Sequence, residues 1–462
     1  MKALNIKKLA ALAAAIVTIT SVSGCGVKKA EPQADGKTVV KIWSWVSADS
    51  AQWEKDQYER MVKALETELP DISVEIRSVV TGTDFAQEYD KALMAGNAPD
   101  YYPGFAYTEI PSRIKNKTIA DISDLVNDWD LKKQDRVITT FDEAIKSGDN
   151  WYAIPADAYV QGTMGNLKAI KAGGGDITKL PETWAEFAEM GALITDPSVP
   201  RYGYELVGMD WCAWPYTAWV WSAGGNMVVP NGDGTYKIAF NEEPGVDAAL
   251  YLNEMIWKHK MTQKNVLNSY DDILMDIKNG TAAFSWSQLS GLDSTIFDYD
   301  LTYDDFVMMP MPVKDSSIKR PVLAGGSVVT FNPKASKETL KAAFSVADFI
   351  YYNEKFLLNE WEILNASGDL NIMVPPVIDL FEKKLAINTS LSESAKSSIV
   401  EMGKNSIAEP FCPHWIDLKN KLVNPLQEIY LTENITREKA KDLLDKCAEE
   451  LYRLYPDAFS LS

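Results

Sequence analysis

Four tryptophans fall within eleven residues of this chain: Trp211, Trp214, Trp219 and Trp221, in the run MDWCAWPYTAWVW from Met209 to Trp221. Trp214, Ala218 and Trp221 lie at helical spacing and suit a core stripe, whereas Trp211 precedes that stripe, at the start of the helix. An aromatic face placed there can cover the weakly polar CH face of a sugar ring, while carboxylates or amides bond the hydroxyl rim. Such pockets set a few polar groups among large apolar ones, and each buried polar partner rejects a ring that lacks its hydroxyl. This is binding chemistry, and other chemistries lack their residues. The chain has two histidines, His259 and His414, and its cysteines Cys212, Cys412 and Cys447 form no CxxC pair, so a structural zinc site is not expected. The turn Asn231-Gly232-Asp233-Gly234 lacks the acidic spacing of a calcium loop. Gly224-Gly225 reads as a turn, and no P-loop or GxGxxG pattern occurs. A glycoside hydrolase would need a paired acid and nucleophile, and no such pair stands out. No cofactor or metal is expected.

The composition narrows the setting. The chain has 462 residues and a net charge of −19, which argues against a nucleic-acid partner. The acidic charge accounts for solubility; it does not account for 14 Trp and 20 Tyr. Residues 1–24 carry Lys2, Lys7 and Lys8, no acid, and an apolar run from Leu9 to Val22 that is too short to span a membrane comfortably. The run ends in Val22-Ser23-Gly24-Cys25, which resembles the bacterial lipobox, whose cysteine is lipidated. Removing residues 1–24 takes the charge from −19 to −22. Residues 25–37 then read as a flexible tether that lifts a globular body off the membrane. Cys447 reads as a core residue of the last helix, and a bridge between Cys212 and Cys412 is left open, since spacing cannot supply its geometry.

Elements that must position these residues can be read in chain order. Val39–Trp45 is a β-branched strand, Ser50 to Glu68 a helix, Ile72–Val80 an alternating strand and Phe85–Ala95 a helix, a βαβ order that predicts an α/β fold with a parallel sheet. Thr183 and Glu186 form a capping box that opens a helix to about Ile194. Pro244 starts another helix, Ser336 caps a third, and the last begins near Thr436. In open α/β sheets ligands sit at the carboxyl ends of strands. That rule selects Trp45, at the end of the first strand, with Ser47 and Asp49 in the following loop; Phe105 and Tyr107 follow the strand or loop that Ala98-Pro99-Asp100-Tyr101 leads into.

The ordered segments resemble the extracellular solute-binding proteins, family 1, of ABC importers, the maltodextrin-binding type. The lipobox at Cys25, Lys41–Trp45 (KIWSW), Tyr89–Asp100 (YDKALMAGNAPD), Asn150–Pro155, Pro181–Phe187 (PETWAEF), Gly280–Trp286 (GTAAFSW), Met308–Pro312 and Gly325-Gly326 carry the resemblance. Met164-Gly165-Asn166 departs from the usual Tyr-Asn pair, and Ser285-Trp286 from the usual Met-x-x-x-G. The resemblance implies a two-lobe periplasmic-binding-protein type II fold with hinge crossovers and a ligand cleft between the lobes. It implies lobe 1 over residues 38–153, lobe 2 over 154–303, a lobe 1 return over 304–355, and C-terminal helices of lobe 2 over 356–462. It places Trp211 as a stacking platform, because Trp214-Pro215 matches a Trp-Pro of the maltodextrin binders. It also places Trp286, Trp415, Asp157 and Tyr159 at the cleft. The function it implies is non-enzymatic. A monomeric lipoprotein, held at the outer face of the bacterial membrane, captures an oligosaccharide and delivers it to a permease. The alternatives are another solute on the same fold, such as a peptide or polyamine, and a secreted glycoside hydrolase.

Overall fold

The structure, a computed structural model, describes residues 36–44, 46, 50–78, 85–209, 211–289, 302–368 and 370–461. Cys25, Trp45, Ser47 and Asp49 lie outside them.

Two lobes are built around separate apolar cores. In the first, strands Thr38–Ser44 and Ile72–Ser78 pair in parallel. Val40 and Ile42 point inward while Lys41 between them is exposed, the period-2 alternation of a strand. Strand Ser327–Phe331 lies between Tyr101–Ala106 and Ala153–Pro155, antiparallel to both. The two ladders are joined through Lys41 and Asp100. The Lys41 amide donates to the buried Asp100 carboxylate at 2.7 Å, and the Asp100 amide donates to the Lys41 carbonyl at 2.7 Å. Ser336 caps helix Lys337–Tyr352 by accepting from the Thr339 amide, and that helix buries Ala343, Val346 and Ala347 against the first core.

The second lobe is organised by strand Tyr159–Asn166, the first to follow the crossover. Ala282–Gln288 flanks it on one side. On the other side Val322–Gly325 pairs with its first half and Phe306–Met309 with its second. Tyr202–Glu205 and Ser406–Ala408 extend the sheet at its two ends. The expected parallel sheet is thus corrected to a mixed one. Tyr159–Asn166 enters the lobe at the junction where Val322–Gly325 leaves it, and strands that enter and leave by one junction must run in opposite directions.

The crossings also fall later than expected. Phe306–Met309 and Val322–Gly325 still belong to the second sheet, so the return comes at Gly326 and not near Tyr303. Helix Glu354–Ser367 packs Trp361 and Leu364 into the first core. The last crossing therefore follows it, where Val374 bridges Ala158, rather than near residues 350–360. Cys412 and Cys447 are buried thiols, and the Cys212 thiol points to the Val423 carbonyl at 4.0 Å, so no Cys212–Cys412 bridge forms. Among the described residues no helix is long and apolar enough to cross a membrane.

The return crossing has no room for a side chain. A Cβ on Gly326 would stand 2.3 Å from the Asp157 carbonyl oxygen and 2.6 Å from the Phe141 ring. Gly326→Ala should cost about 1–3 kcal/mol through forced backbone movement. Gly403→Ala, which meets nothing within 4 Å on helix Glu393–Lys404, should be neutral or stabilise by about 0.5–1 kcal/mol. Urea unfolding midpoints of the two variants provide the comparison.

Candidate functional site

Helix Ala213–Ser222 presents Trp214 at its first turn, and Trp211 stands just before it. Trp211 is 49% exposed and lies parallel to Tyr270, with ring centroids 5.7 Å apart and planes at 13°. Trp214, half-buried, touches Trp211 at 5.4 Å and Trp286 at 5.3 Å. Trp286, only 1% exposed, lies beneath and meets Tyr270 edge-on at 5.9 Å. The result is a graded aromatic wall: an open face at Trp211, a support in Trp214 and Tyr270, and a buried footing in Trp286. The footing is buried because Ala282–Gln288 is an inner strand, flanked by Tyr159–Asn166 and Tyr202–Glu205. Tyr270 is held by its hydroxyl, 3.0 Å from Ser287 Oγ.

A polar junction adjoins the wall. Lys419 sits 5.1 Å from the Trp214 ring and 5.5 Å from the Trp415 ring, both cation–π distances. Its ammonium donates to Glu409 Oε1 at 2.5 Å, and Trp415 Nε1 donates to the same oxygen at 2.6 Å. Glu409 is buried, and its main-chain carbonyl accepts the Tyr107 hydroxyl at 2.6 Å. Tyr107 belongs to the first lobe and stacks on Phe141 at 4.3 Å. Tyr159 packs edge-on against Trp214 at 6.2 Å. Burial raises the hydroxyl pKa of both Tyr107 and Tyr159, so both remain neutral donors.

Next to this junction a cavity of about 390 Å³ lies between the lobes. The first lobe lines it with Asp90, Glu109, Arg113 and Thr118, and the second with His414, Trp415 and Asp417. Arg113 reaches Asp90 at 2.9 Å and Glu109 at 3.3 Å while lying over the Phe105 ring. His414 adopts φ 61°, stacks on Tyr455 at 4.1 Å, and places Nδ1 2.8 Å from Asp417.

Trp211, Trp286, Tyr159, Trp415 and Tyr107 are therefore brought together. Their roles differ: Trp415 and Tyr107 are each 1% exposed and, like Trp286, brace the site rather than offer a face. Asp157 turns elsewhere. It accepts from the Ser327 amide and hydroxyl across the two crossing strands, and it lines a second cavity of about 440 Å³ with Trp53, Tyr351 and Trp361. Burial raises its carboxyl pKa. Tyr270, Glu409 and Lys419 were not read from the sequence. Lys419 stands one helical turn beyond Trp415, the one available signal; Glu409 and Tyr270 had none.

Residues 51–355 match the family of bacterial extracellular solute-binding proteins, and the chain belongs to that family. Its fold is that of solved relatives. An ABC transporter solute-binding protein from Thermotoga lettingae, bound with α-D-tagatose, aligns at TM-score 0.71 and 16% identity over 90% of this chain and 100% of that one. The cyclic α-maltosyl-1,6-maltose binding protein of Arthrobacter globiformis aligns at 0.71 and 17%, over 91% and 100%. UgpB from Mycobacterium tuberculosis, in complex with glycerophosphocholine, aligns at 0.70 and 15%, over 91% and 100%. Identity this low carries the fold and not the ligand. No curated protein matches the chain by sequence.

The burial gradient separates the two tryptophans in their weight for stability. Trp286→Ala should lower stability by about 3–5 kcal/mol, as expected for a buried tryptophan, whereas Trp211→Ala should stay within about 1 kcal/mol of the parent; denaturant unfolding distinguishes them. Below the wall, Glu205 is fully buried, accepts from Asn268 at 2.7 Å, and has its pKa pushed up to about 9, first by burial and then by Asp276. Its folded pKa exceeds its unfolded one, so the folded state holds the extra proton and stability falls as pH rises from about 4.3 towards that value. Glu205→Gln should keep the Asn268 contact and raise the thermal midpoint more at pH 8 than at pH 5.

Proposed function

We propose that this chain is the substrate-binding lipoprotein of an ABC importer, anchored through Cys25, that captures an oligosaccharide between its lobes and hands it to a permease. The observation that carries the reading is the graded aromatic wall with its open Trp211 face. A sugar ring laid on that face would gain stacking contact on one side. Thr108, Ser112, Asn116 and Thr118, from the first lobe's wall of the cavity, offer hydroxyl and amide partners for the rim. Closure of the lobes about the crossings would exclude water and strengthen those bonds. No covalent step is required, and transport energy would come from ATP hydrolysis on other chains.

The sugars and the glycerophosphocholine named for the solved relatives span both a carbohydrate and a non-carbohydrate reading. The aromatic wall favours the first. Calorimetric titration with a panel of neutral glycans should find a binder, and Trp211→Ala should weaken it by about 10–100-fold, the loss expected for an aromatic anchor. Unchanged affinity in Trp211→Ala would remove the wall from the site, and silence across the panel would remove carbohydrate as the ligand class.

A further inference from the structure

The two cations that line the cavity or adjoin the aromatic wall, Arg113 and Lys419, are each held by carboxylates. Lys419 is spent on Glu409, Arg113 on Asp90 and Glu109, and His414 faces Asp417. At the rim Lys115 of the first lobe meets Asp457 of the second at 2.5 Å. Beyond it, at the end of the second strand, Arg77 pairs with Glu88 at 3.0 Å. The internal segments 47–49, 79–84 and 290–301, which lie outside the described residues, contain no lysine, arginine or histidine.

From this matching we infer, on the reading of the cleft as the ligand site, that the ligand is uncharged. The site takes neutral sugars and rejects acidic ones such as uronic-acid oligosaccharides or phosphodiesters. An anion carried into a closing cleft loses its water and needs a cation in return. Lys419 cannot turn to it, because the Glu409 side chain is 4% exposed and would be left as an unpaired buried charge. Arg113 is held between two carboxylates, and moving it would set those carboxylates against the incoming anion. A neutral ring meets neither cost, since each matched pair retains lone pairs or protons that can bond hydroxyls without changing partner.

The test is calorimetry on the full chain with neutral glycans, uronic-acid oligosaccharides of equal length, and a glycerophosphodiester. Neutral binding should exceed acidic binding by at least about 100-fold, and should change less than about twofold between low and high salt. Acidic binding equal to or tighter than neutral binding overturns the inference. If no glycan binds at all, the carbohydrate reading fails by itself, and the phosphodiester then decides the charge question: its binding overturns the inference. Two variants supply an independent readout. Glu409→Gln unmatches Lys419, and Asp90→Asn, at a half-exposed carboxylate, loosens the hold on Arg113 without touching the core. Each should raise uronate affinity by about tenfold or more over the parent. Uronate affinity unchanged in both folded variants means that charge matching does not exclude anions, and the inference falls.

Discussion

The Glu409 carboxylate is buried beside the place where the chain crosses between lobes, and much of the site depends on it. A charge taken out of water must be paired and hydrogen-bonded. Glu409 achieves this with Lys419 and the Trp415 indole on one helix. That pairing holds the Lys419 ammonium over Trp214, and Trp214 in turn supports Trp211 and covers Trp286. The carbonyl of the same residue receives Tyr107 from the opposite lobe. One residue thus links the aromatic wall, helix Trp415–Leu431 on which the wall leans, and the first lobe.

A hinge needs chain segments that bend while the bodies they join stay rigid. The rigid bodies come from separate cores, each packed from its own helices and sheet. Between them the crossing strands are tied to one another: Asp157 to Ser327, and Ala158 to Val374. Gly326 lets two of these strands approach closely, since any side chain there would strike the Asp157 carbonyl. On the proposed reading, a ligand held between the lobes would meet both bodies, and would therefore favour the arrangement in which they are close.

Local structure was legible where a residue's role is set by its neighbours in the chain. The Thr183 and Glu186 capping box opens helix Trp184–Ile194 as its spacing requires, and Ser336 caps the helix that follows it. Strand alternation placed Val40 and Ile42 inside. Trp211 was separated from the tryptophan stripe by its position before the helix, and it is the exposed one. What periodicity could not show was what covers a given face. Trp286 and Trp415 are sealed, the first by Trp214 and Tyr270, the second by its bond to Glu409.

The amino-acid sequence by itself determined the alternation of helices and strands, the absence of metal-ligand spacing, the acidic surface, and the aromatic residues available for a ring-binding wall. These follow from side-chain chemistry and short-range spacing. Only the tertiary structure decided which sheet each strand joined, where the chain crossed back at Gly326, and which tryptophan kept an open face. Those outcomes rest on contacts between residues far apart in the chain. Tyr107 and Glu409 are separated by 302 positions, and no local pattern records a bond that forms only after both lobes have packed.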